Sequence, residues 1–319
     1  KPFNRLPQFM YNRYLAFTVI VVSVCIAVFI MVKKSPLNGQ YEDITHLEYL
    51  AENGEWDKIL ENVSVQESAK DEFKRKYVLL ALSETGRLPD YAFRYGLSSP
   101  DDFVYYDAED PFKLNFNILF YRSLDMNNPA VHQAYQQAVQ SLPGATFHSL
   151  RTLADIYLEN KDYVMAKKYL DILSHTTCHG NWVKSRIKEL AALRYESKQT
   201  KTFDSDIWSV WHGENPVVVE TAGLLEADPM NKKLSDVLCC GLLAARQLPN
   251  FVNMYGYTLS NAYKGVKYLP VHYEEAILLY SRQDPAILQN FPVSQFKLNE
   301  FNRFAQLMDS GNVAQAREM

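Results

Sequence analysis

Residues 153–173 read LADIYLENKDYVMAKKYLDIL, and this stretch predicts two consecutive α-helices. Apolar side chains recur three and four positions apart in each half, the spacing that places them on one helix face. These positions are Leu153, Ala154 and Tyr157, then Tyr163, Ala166 and Leu170. The polar turn Asn160-Lys161-Asp162 separates the halves, and the small Ala154 and Ala166 allow two antiparallel helices to approach closely. The stretch therefore predicts a helical hairpin.

The same periodicity extends through residues 44–319, and strand-like alternation is scarce. Residues 79–95 and 242–257 share an LLA, then a Leu-Pro, then an aromatic helix. Turn groups such as Thr-Gly-Arg and Ser-Gly-Asn fall about one helix apart. We therefore predict an all-α array of roughly seven or eight helix pairs in which each pair contacts only its neighbours. An irregular helical bundle is the alternative.

Residues 153–173 resemble a tetratricopeptide repeat in the order and spacing of their small and aromatic positions. They depart from that family by carrying Leu170 where it has an aromatic residue, and by lacking a proline at the repeat end. The chain is also similar to uncharacterised bacterial membrane proteins in which several spans precede a tetratricopeptide-like tail. The resemblance implies a solenoid that binds a partner, and it implies no chemistry.

An apolar run at residues 15–32 predicts a transmembrane helix. It contains no charged residue, and eighteen positions at about 1.5 Å each cover roughly 27 Å, close to the hydrocarbon layer. Lys33 and Lys34 close the run as snorkelling cations would. A cleaved signal peptide fits less well, because the run is long and no small-residue cleavage site follows. We predict a membrane anchor over 1–35, a linker over 36–43 and a helical-repeat domain over 44–319.

The charges that flank this span indicate its orientation. Lys1, Arg5 and Arg13 precede it and outnumber the two lysines that follow. Cationic flanks stay on the cytoplasmic side, so we expect the helical-repeat domain to be extracytoplasmic. Because the chain begins with Lys1 rather than Met, we also expect it to be the later part of a longer protein.

Composition excludes several classes of function. A net charge of −4 without any basic run makes nucleic acid an improbable partner. Four cysteines in 319 residues form no disulfide framework. The sequence has no nucleophile elbow, phosphate-binding glycine loop, dinucleotide fingerprint or zinc-protease motif. We predict no catalytic residue and no cofactor.

We also predict no metal site, although one group of potential ligands is a candidate. His175, Cys178 and His179 lie within five residues, and imidazole and thiolate both bind zinc. The group lacks a fourth ligand, and it lies between two helix pairs, where such residues commonly cap helix ends. Cys239 and Cys240 are adjacent on a helix and are interpreted as small buried residues rather than a redox pair.

Aromatic residues supply the candidates for partner binding. The sequence contains 21 Tyr and 17 Phe, more than the helix-pair contacts require, and tyrosine is enriched in interfaces. Two tyrosine pairs are candidates for lining a concave groove that binds a peptide or glycan: Tyr105 and Tyr106, and Tyr255 and Tyr257. Trp208 and Trp211 are candidates for an aromatic platform that binds a sugar. Core packing is the alternative interpretation of each.

These observations predict a membrane-anchored, non-catalytic scaffold that contacts the bilayer through residues 15–32 and binds a protein partner through its helical array. The alternative is an accessory domain of a multi-span membrane enzyme, such as a glycan or lipid transferase. Such a domain would recognise the acceptor, and the active site would lie before Lys1.

Overall fold

The computed structural model describes residues 13–34, 38–140, 144–176, 179–196, 216–265, 269–291, 293–312 and 314–315. Within these ranges the chain forms α-helices and short 3-10 segments and contains no β-strand. The prediction of an all-α fold is confirmed.

The helices of the described ranges are α1 (Arg13–Lys34), α2 (Asn38–Glu52), α3 (Trp56–Asn62), α4 (Val65–Lys70), α5 (Glu72–Glu84), α6 (Leu88–Tyr91), α7 (Pro111–Ser123), α8 (Asn127–Gln140), α9 (Phe147–Glu159), α10 (Tyr163–Ser174), α11 (Gly180–Glu196), α12 (Pro216–Ala227), α13 (Lys232–Ala244), α14 (Leu248–Ser260), α15 (Val271–Ser281) and α16 (Gln295–Asp309). Many begin at a short polar side chain that accepts a backbone N–H of the first turn, which satisfies a donor that the helix itself leaves unpaired. These N-caps include Ser64, Asp71, Asp110, Thr146, Asp162, Asn231 and Ser294.

The chain divides into two compact units, Lys1–Tyr49 and Leu50–Met319. The first contains α1, whose side chains are described over residues 17–31 and are exposed there. Among the described residues, no helix combines the length and the apolar character needed to cross a membrane. The single span predicted over residues 15–32 is therefore not supported by the described helices. Helix α2 begins at Asn38, inside the segment 36–43 that was expected to be a linker.

The second unit is built from helices that pack as consecutive pairs. Helix α7 packs on α8, α8 on α9, α9 on α10 and α10 on α11, and α12, α13 and α14 continue in the same manner. The hairpin predicted from residues 153–173 is α9 with α10. All six of its predicted apolar contacts are buried: Leu153, Ala154, Tyr157, Tyr163, Ala166 and Leu170.

One type of turn ends many of these helices. A backbone N–H bonds to the carbonyl five residues earlier, and the residue before that N–H has a positive φ, the pattern of a Schellman motif. Glycine takes this position at Gly54 and Gly86, both with φ 68°, and also at Gly96 and Gly311. In the α9–α10 turn the Asp162 N–H bonds to the Tyr157 carbonyl at 2.9 Å, and Lys161 takes the left-handed position with φ 60°. The α9–α10 turn therefore has the same geometry as the glycine turns, although a lysine occupies the left-handed position.

The C-terminal helices pack back onto the early ones. Helix α13 contacts α5 and α6, and α15 also contacts α6. The Lys233 ammonium donates to Glu84 Oε1 at 2.8 Å, and the Val271 N–H donates to Asp90 Oδ1 at 3.0 Å. The second unit therefore differs from the expected solenoid in which each pair contacts only its neighbours. Since long-range pairing depends on distant segments, the hairpin pattern alone could not reveal it.

Candidate functional site

The histidines of the metal candidate are both exposed. His175 forms the C-terminal cap of α10, and the His179 ring stacks on Phe147 with centroids 3.4 Å apart. In the described part of the chain, neither histidine belongs to a group of metal-ligating side chains. Three other candidates lie outside the described residues: Cys178, Trp208 and Trp211.

The tyrosine candidates divide into buried and exposed residues. Tyr105 is 7% exposed and Tyr255 is completely buried, so both are core residues. The prediction that these two line a binding groove is therefore wrong, because interior packing takes up their apolar rings. Tyr106 and Tyr257 are exposed over 41% and 39% of their surface. They stay candidates, although Tyr106 Oη already accepts a backbone N–H at 3.3 Å.

A buried polar network in the C-terminal helices is closed to ligands. The Asp236 carboxylate accepts hydrogen bonds from the hydroxyls of Tyr263 and Tyr273 and pairs with Lys232 at 2.6 Å. Asp236, both tyrosines and the adjacent Cys240 are almost completely buried. Burial also raises the pKa of the Cys240 thiol, which keeps it protonated and unreactive. This network therefore stabilises the core, as expected of small buried cysteines.

The second unit contains a cleft of about 450 Å³ between the ends of α2, α3 and α5 and the side chains of α7, α9 and α11. Ionisable groups dominate its lining. Five carboxylates, Glu52, Glu84, Asp125, Asp155 and Glu159, face three guanidinium groups, Arg122, Arg151 and Arg186, beside His148 and Trp56. A cleft of this size accommodates a small ligand or a few side chains of a partner.

Helix α9 contributes the central stripe of the cleft. His148, Arg151, Asp155 and Glu159 follow each other at spacings of three, four and four, so they share one face of the helix. The opposite face carries the buried contacts with α10. A capping box at Thr146, in which its side chain and that of Ser149 bond reciprocally to backbone N–H groups, begins the helix and aligns the stripe.

The three arginines are held by carboxylates within the cleft or at its edge. Arg122 makes a two-pronged contact with Glu159, with Nε 3.1 Å from Oε2. Arg186 Nε lies 3.2 Å from Asp155 Oδ1, and its Nη1 donates to Glu189 at 2.6 Å. Asp155 on α9 therefore connects this helix to α11 through an ion pair.

The third arginine is placed by an aromatic ring. Arg151 Nε lies 3.6 Å from Asp155 Oδ2, and its guanidinium lies 5.5 Å from the Trp182 ring centroid. Arg186 lies 5.7 Å from the same ring. Stacking of this kind immobilises a guanidinium group without using its hydrogen-bond donors.

Burial shifts the pKa of two cleft residues. It raises the pKa of Asp155, and the nearby arginines oppose that rise because they favour the charged carboxylate. Burial lowers the pKa of His148, with Glu52 as an opposing charge. His148 Nε2 lies 3.0 Å from Asn115 Oδ1, which is an acceptor, so this nitrogen carries the proton of a neutral ring.

Three polar side chains of the cleft lack a side-chain partner among the described residues. Asn160 Nδ2 is buried and makes no hydrogen bond, whereas Asp155 Oδ1 has the Arg186 ion pair as its contact. Within the described residues, the carboxylates of Glu52 and Asp125 make neither a hydrogen bond nor an ion pair, and both residues are exposed. Because buried polar atoms are normally satisfied, the Asn160 amide offers a donor to a bound group or to solvent.

His148 is the histidine that lines the cleft. In the described part of the chain, no hydroxyl or thiol is hydrogen-bonded to His148, whose ring bonds to an amide oxygen instead. Nucleophilic catalysis requires such a pair. The polar groups that converge in the cleft are those that recognise charge and hydrogen-bonding groups.

Sequence reasoning missed this cleft although its signal is present. The spacing of His148, Arg151, Asp155 and Glu159 marks a stripe of ionisable side chains along α9. The same pattern is typical of the solvated face of a surface helix, so it carries little information without the neighbouring helices. Arg122 and Arg186 come from helices on either side in the sequence, and only packing brings them to this stripe.

The fold and the cleft define a class: an all-α protein of packed helical hairpins with a mixed-charge binding cleft. The chain belongs to the Family of unknown function (DUF6057), whose model matches residues 2–319. No curated protein and no solved structure shows significant similarity to it.

Proposed function

We propose that this protein is a membrane-anchored scaffold of tetratricopeptide-like helical hairpins that binds a segment of a partner polypeptide in its charged cleft. The observation that carries the proposal is the set of unsatisfied polar groups in that cleft. Asn160 Nδ2 is buried without a hydrogen bond, and the Glu52 and Asp125 carboxylates lack hydrogen-bond and ion-pair partners among the described residues. Groups held in this state by a rigid helical frame gain free energy when a complementary segment pairs with them.

The construction of the cleft supports a polypeptide ligand. Its lining comes from seven helices, α2, α3, α5, α7, α8, α9 and α11. Ion pairs between these helices, such as Arg122 with Glu159 and Arg186 with Asp155, hold the walls at a constant separation. A preorganised wall reduces the entropy lost on binding, as a partner-binding surface requires.

Helix α1 supports the membrane anchor. It is 22 residues long, and its described side chains from Phe17 to Met31 are exposed and largely apolar. Exposed apolar side chains along residues 17–31 favour an apolar environment, and a bilayer provides one. In the sequence, two lysines follow this apolar run, as cations that reach the headgroup region do.

One experiment tests both parts of the proposal. A photo-crosslinking phenylalanine analogue replaces Trp56 in the cleft of the full chain, and in a second variant it replaces Val164, which is 63% exposed on α10 and does not line the cleft. After irradiation of cells, membranes are washed at alkaline pH and the adducts are identified by mass spectrometry.

We expect the chain to remain in the washed membranes and to form a protein adduct from position 56 only. Equal adducts from both positions, or none from position 56, would contradict partner binding in the cleft. Release of the chain into the alkaline supernatant would contradict the membrane anchor. Circular dichroism of each variant checks that the helices are retained.

A further inference from the structure

We infer that the partner segment in this cleft carries a basic side chain, a lysine or an arginine. This inference rests on the proposed function and adds the chemistry of the ligand. It begins from the balance of charges, since five carboxylates line the cleft against three guanidinium groups and one neutral histidine. Charge complementarity at an interface selects a ligand of the opposite sign.

The cations of the cleft already have partners. Arg122 is paired with Glu159, and Arg186 with both Asp155 and Glu189. Arg151 lies between Asp155 and the Trp182 ring. The remaining lining carboxylate on α5, Glu84, is neutralised by Lys233. An anionic ligand would therefore have to displace existing ion pairs.

The carboxylates, in contrast, exceed their partners. The Glu52 and Asp125 carboxylates have no hydrogen-bond or ion-pair partner among the described residues. A Glu52 carboxylate oxygen lies within 4.8 Å of a His148 ring nitrogen. Burial lowers the pKa of His148, which disfavours the charged imidazolium that would offset the Glu52 charge. An ammonium or guanidinium group near Glu52 would gain attraction without losing an existing pair.

Trp56 strengthens the preference for a cation. It lines the cleft four residues after Glu52, at the first position of α3. Tryptophan is the aromatic side chain that attracts cations most strongly, and a flat indole also covers the methylene groups of a lysine or arginine. A carboxylate beside an indole is thus suited to a long basic side chain.

One further group indicates a polypeptide rather than a free amine. Asn160 Nδ2 is buried and offers an unsatisfied donor. A backbone peptide group carries a carbonyl acceptor, so a bound segment satisfies this donor. A protonated amine has no acceptor and leaves it unsatisfied.

The test uses the full chain in lipid nanodiscs at low ionic strength and short blocked peptides. The probes are acetyl-Gly-Gly-Xaa-Gly-Gly-amide, in which Xaa is lysine, arginine, norleucine or glutamate, together with n-butylamine. Binding is measured by titration calorimetry. We expect the lysine and arginine peptides to bind about five- to tenfold more tightly than the norleucine peptide, with the glutamate peptide weakest. Butylamine should bind more weakly than the lysine peptide.

Matched variants assign the preference to the cleft. Glu52→Gln combined with Asp125→Asn keeps the size of both side chains and removes two exposed charges, so the fold should be retained. We expect the preference for lysine over norleucine to fall below about twofold. Glu226→Gln, an exposed carboxylate on α12 outside the cleft, should leave that preference unchanged.

The outcomes separate this inference from the proposed function. Equal binding of the lysine and norleucine peptides, or no peptide binding at all, would overturn the basic-side-chain inference. A protein adduct from position 56 would still support partner binding in either case. Butylamine binding as tightly as the lysine peptide would overturn the polypeptide part, because the backbone groups would then contribute nothing. The absence of both the adduct and peptide binding would reject both proposals.

Discussion

Lys76 is a basic side chain that the fold buries almost completely, with 1% of its surface exposed. Its ammonium donates to the backbone carbonyls of Asp101 and Val104 and lies 4.3 Å from the Tyr105 ring centroid. These contacts replace only part of its hydration, so burial lowers its pKa from 10.5 to about 8, although Glu72 favours the charged form. The charged lysine therefore carries a cost at neutral pH.

This pKa predicts the sign of the pH dependence of stability. A folded-state pKa below the unfolded value contributes stability that is fully present above pH 10.5 and is lost as the pH falls through about 8. The free energy of unfolding of the wild type should rise by about 3 kcal/mol, relative to Lys76→Met, between pH 8 and pH 10.5. Urea unfolding of both proteins across this range measures the difference.

Lys188→Met is the control, because Lys188 is exposed on α11. Its unfolding free energy should follow the wild type at every pH. If the Lys76→Met curve also ran parallel to the wild type, Lys76 would not titrate as the buried contacts require.

At the level of single elements, the α9–α10 turn contains a conformational cost. Lys161 has φ 60°, the left-handed region that side chains with a Cβ disfavour and glycine adopts freely. The same position of the equivalent turns after α2 and α5 is occupied by Gly54 and Gly86. The helix pair therefore forms in spite of Lys161, because the Asp162 cap and the buried hairpin contacts outweigh the strain.

Lys161→Gly should consequently stabilise the protein by about 0.5 to 1 kcal/mol. The identical change at Lys184, an exposed position inside α11, should destabilise it by about 1 kcal/mol, because glycine weakens a helix interior. Denaturant midpoints of the two variants compare the effects directly. A loss of stability in both would show that Lys161 does not hold the left-handed conformation.

For the second unit as a whole, the return of the C-terminal helices onto α5 and α6 is the main departure from a linear repeat array. Gly241 on α13 permits the close packing of α13 against α12, since a Cβ there would lie 3.1 Å from Val218 Cγ2 and 4.0 Å from the Phe103 ring. Gly223 on α12 is also helical, but a Cβ there would meet nothing within 4 Å. The two glycines thus form a matched pair.

Gly223→Ala should stabilise the protein by up to about 1 kcal/mol through helix propensity alone. Gly241→Ala should cancel that gain and cost about 1 to 2 kcal/mol, because the added methyl group overpacks the contact with α12. Hydrogen exchange followed by mass spectrometry should show the loss of protection in α13 extending to α5 and α6. A loss confined to α13 would mean that the early and late helices do not unfold together.

The residue pattern was sufficient to predict the all-α class and the α9–α10 hairpin. Both depend on interactions between positions a few residues apart: the recurrence of Leu153, Ala154 and Tyr157 on one face, and a polar turn before Tyr163. Such short-range patterns can be recognised in the sequence without knowledge of the tertiary structure. These patterns do not determine whether hairpins that are distant in the sequence contact each other. The predicted solenoid, in which each pair contacts only its neighbours, therefore differs from the observed packing.

Burial could not be assigned to individual aromatic residues for the same reason. Tyr105 and Tyr106 are adjacent in the sequence, yet the first is in the core and the second is exposed over 41% of its surface. Composition treats them alike, and their difference depends on which side of the segment faces α7. In the sequence, the charged stripe on α9 is equally consistent with a solvent-exposed helix face. Only the packing of α7 and α11 beside it shows that the stripe lines a cleft.

Local periodicity and turn chemistry thus specified the helices, because hydrogen bonds and side-chain contacts within a helix span only three or four residues. The cleft depended on long-range packing. Arg122, Asp155 and Arg186 lie on three helices and are more than 30 residues apart in the chain, and their charges act together only because hydrophobic burial on the opposite helix faces brings them to within a few ångströms.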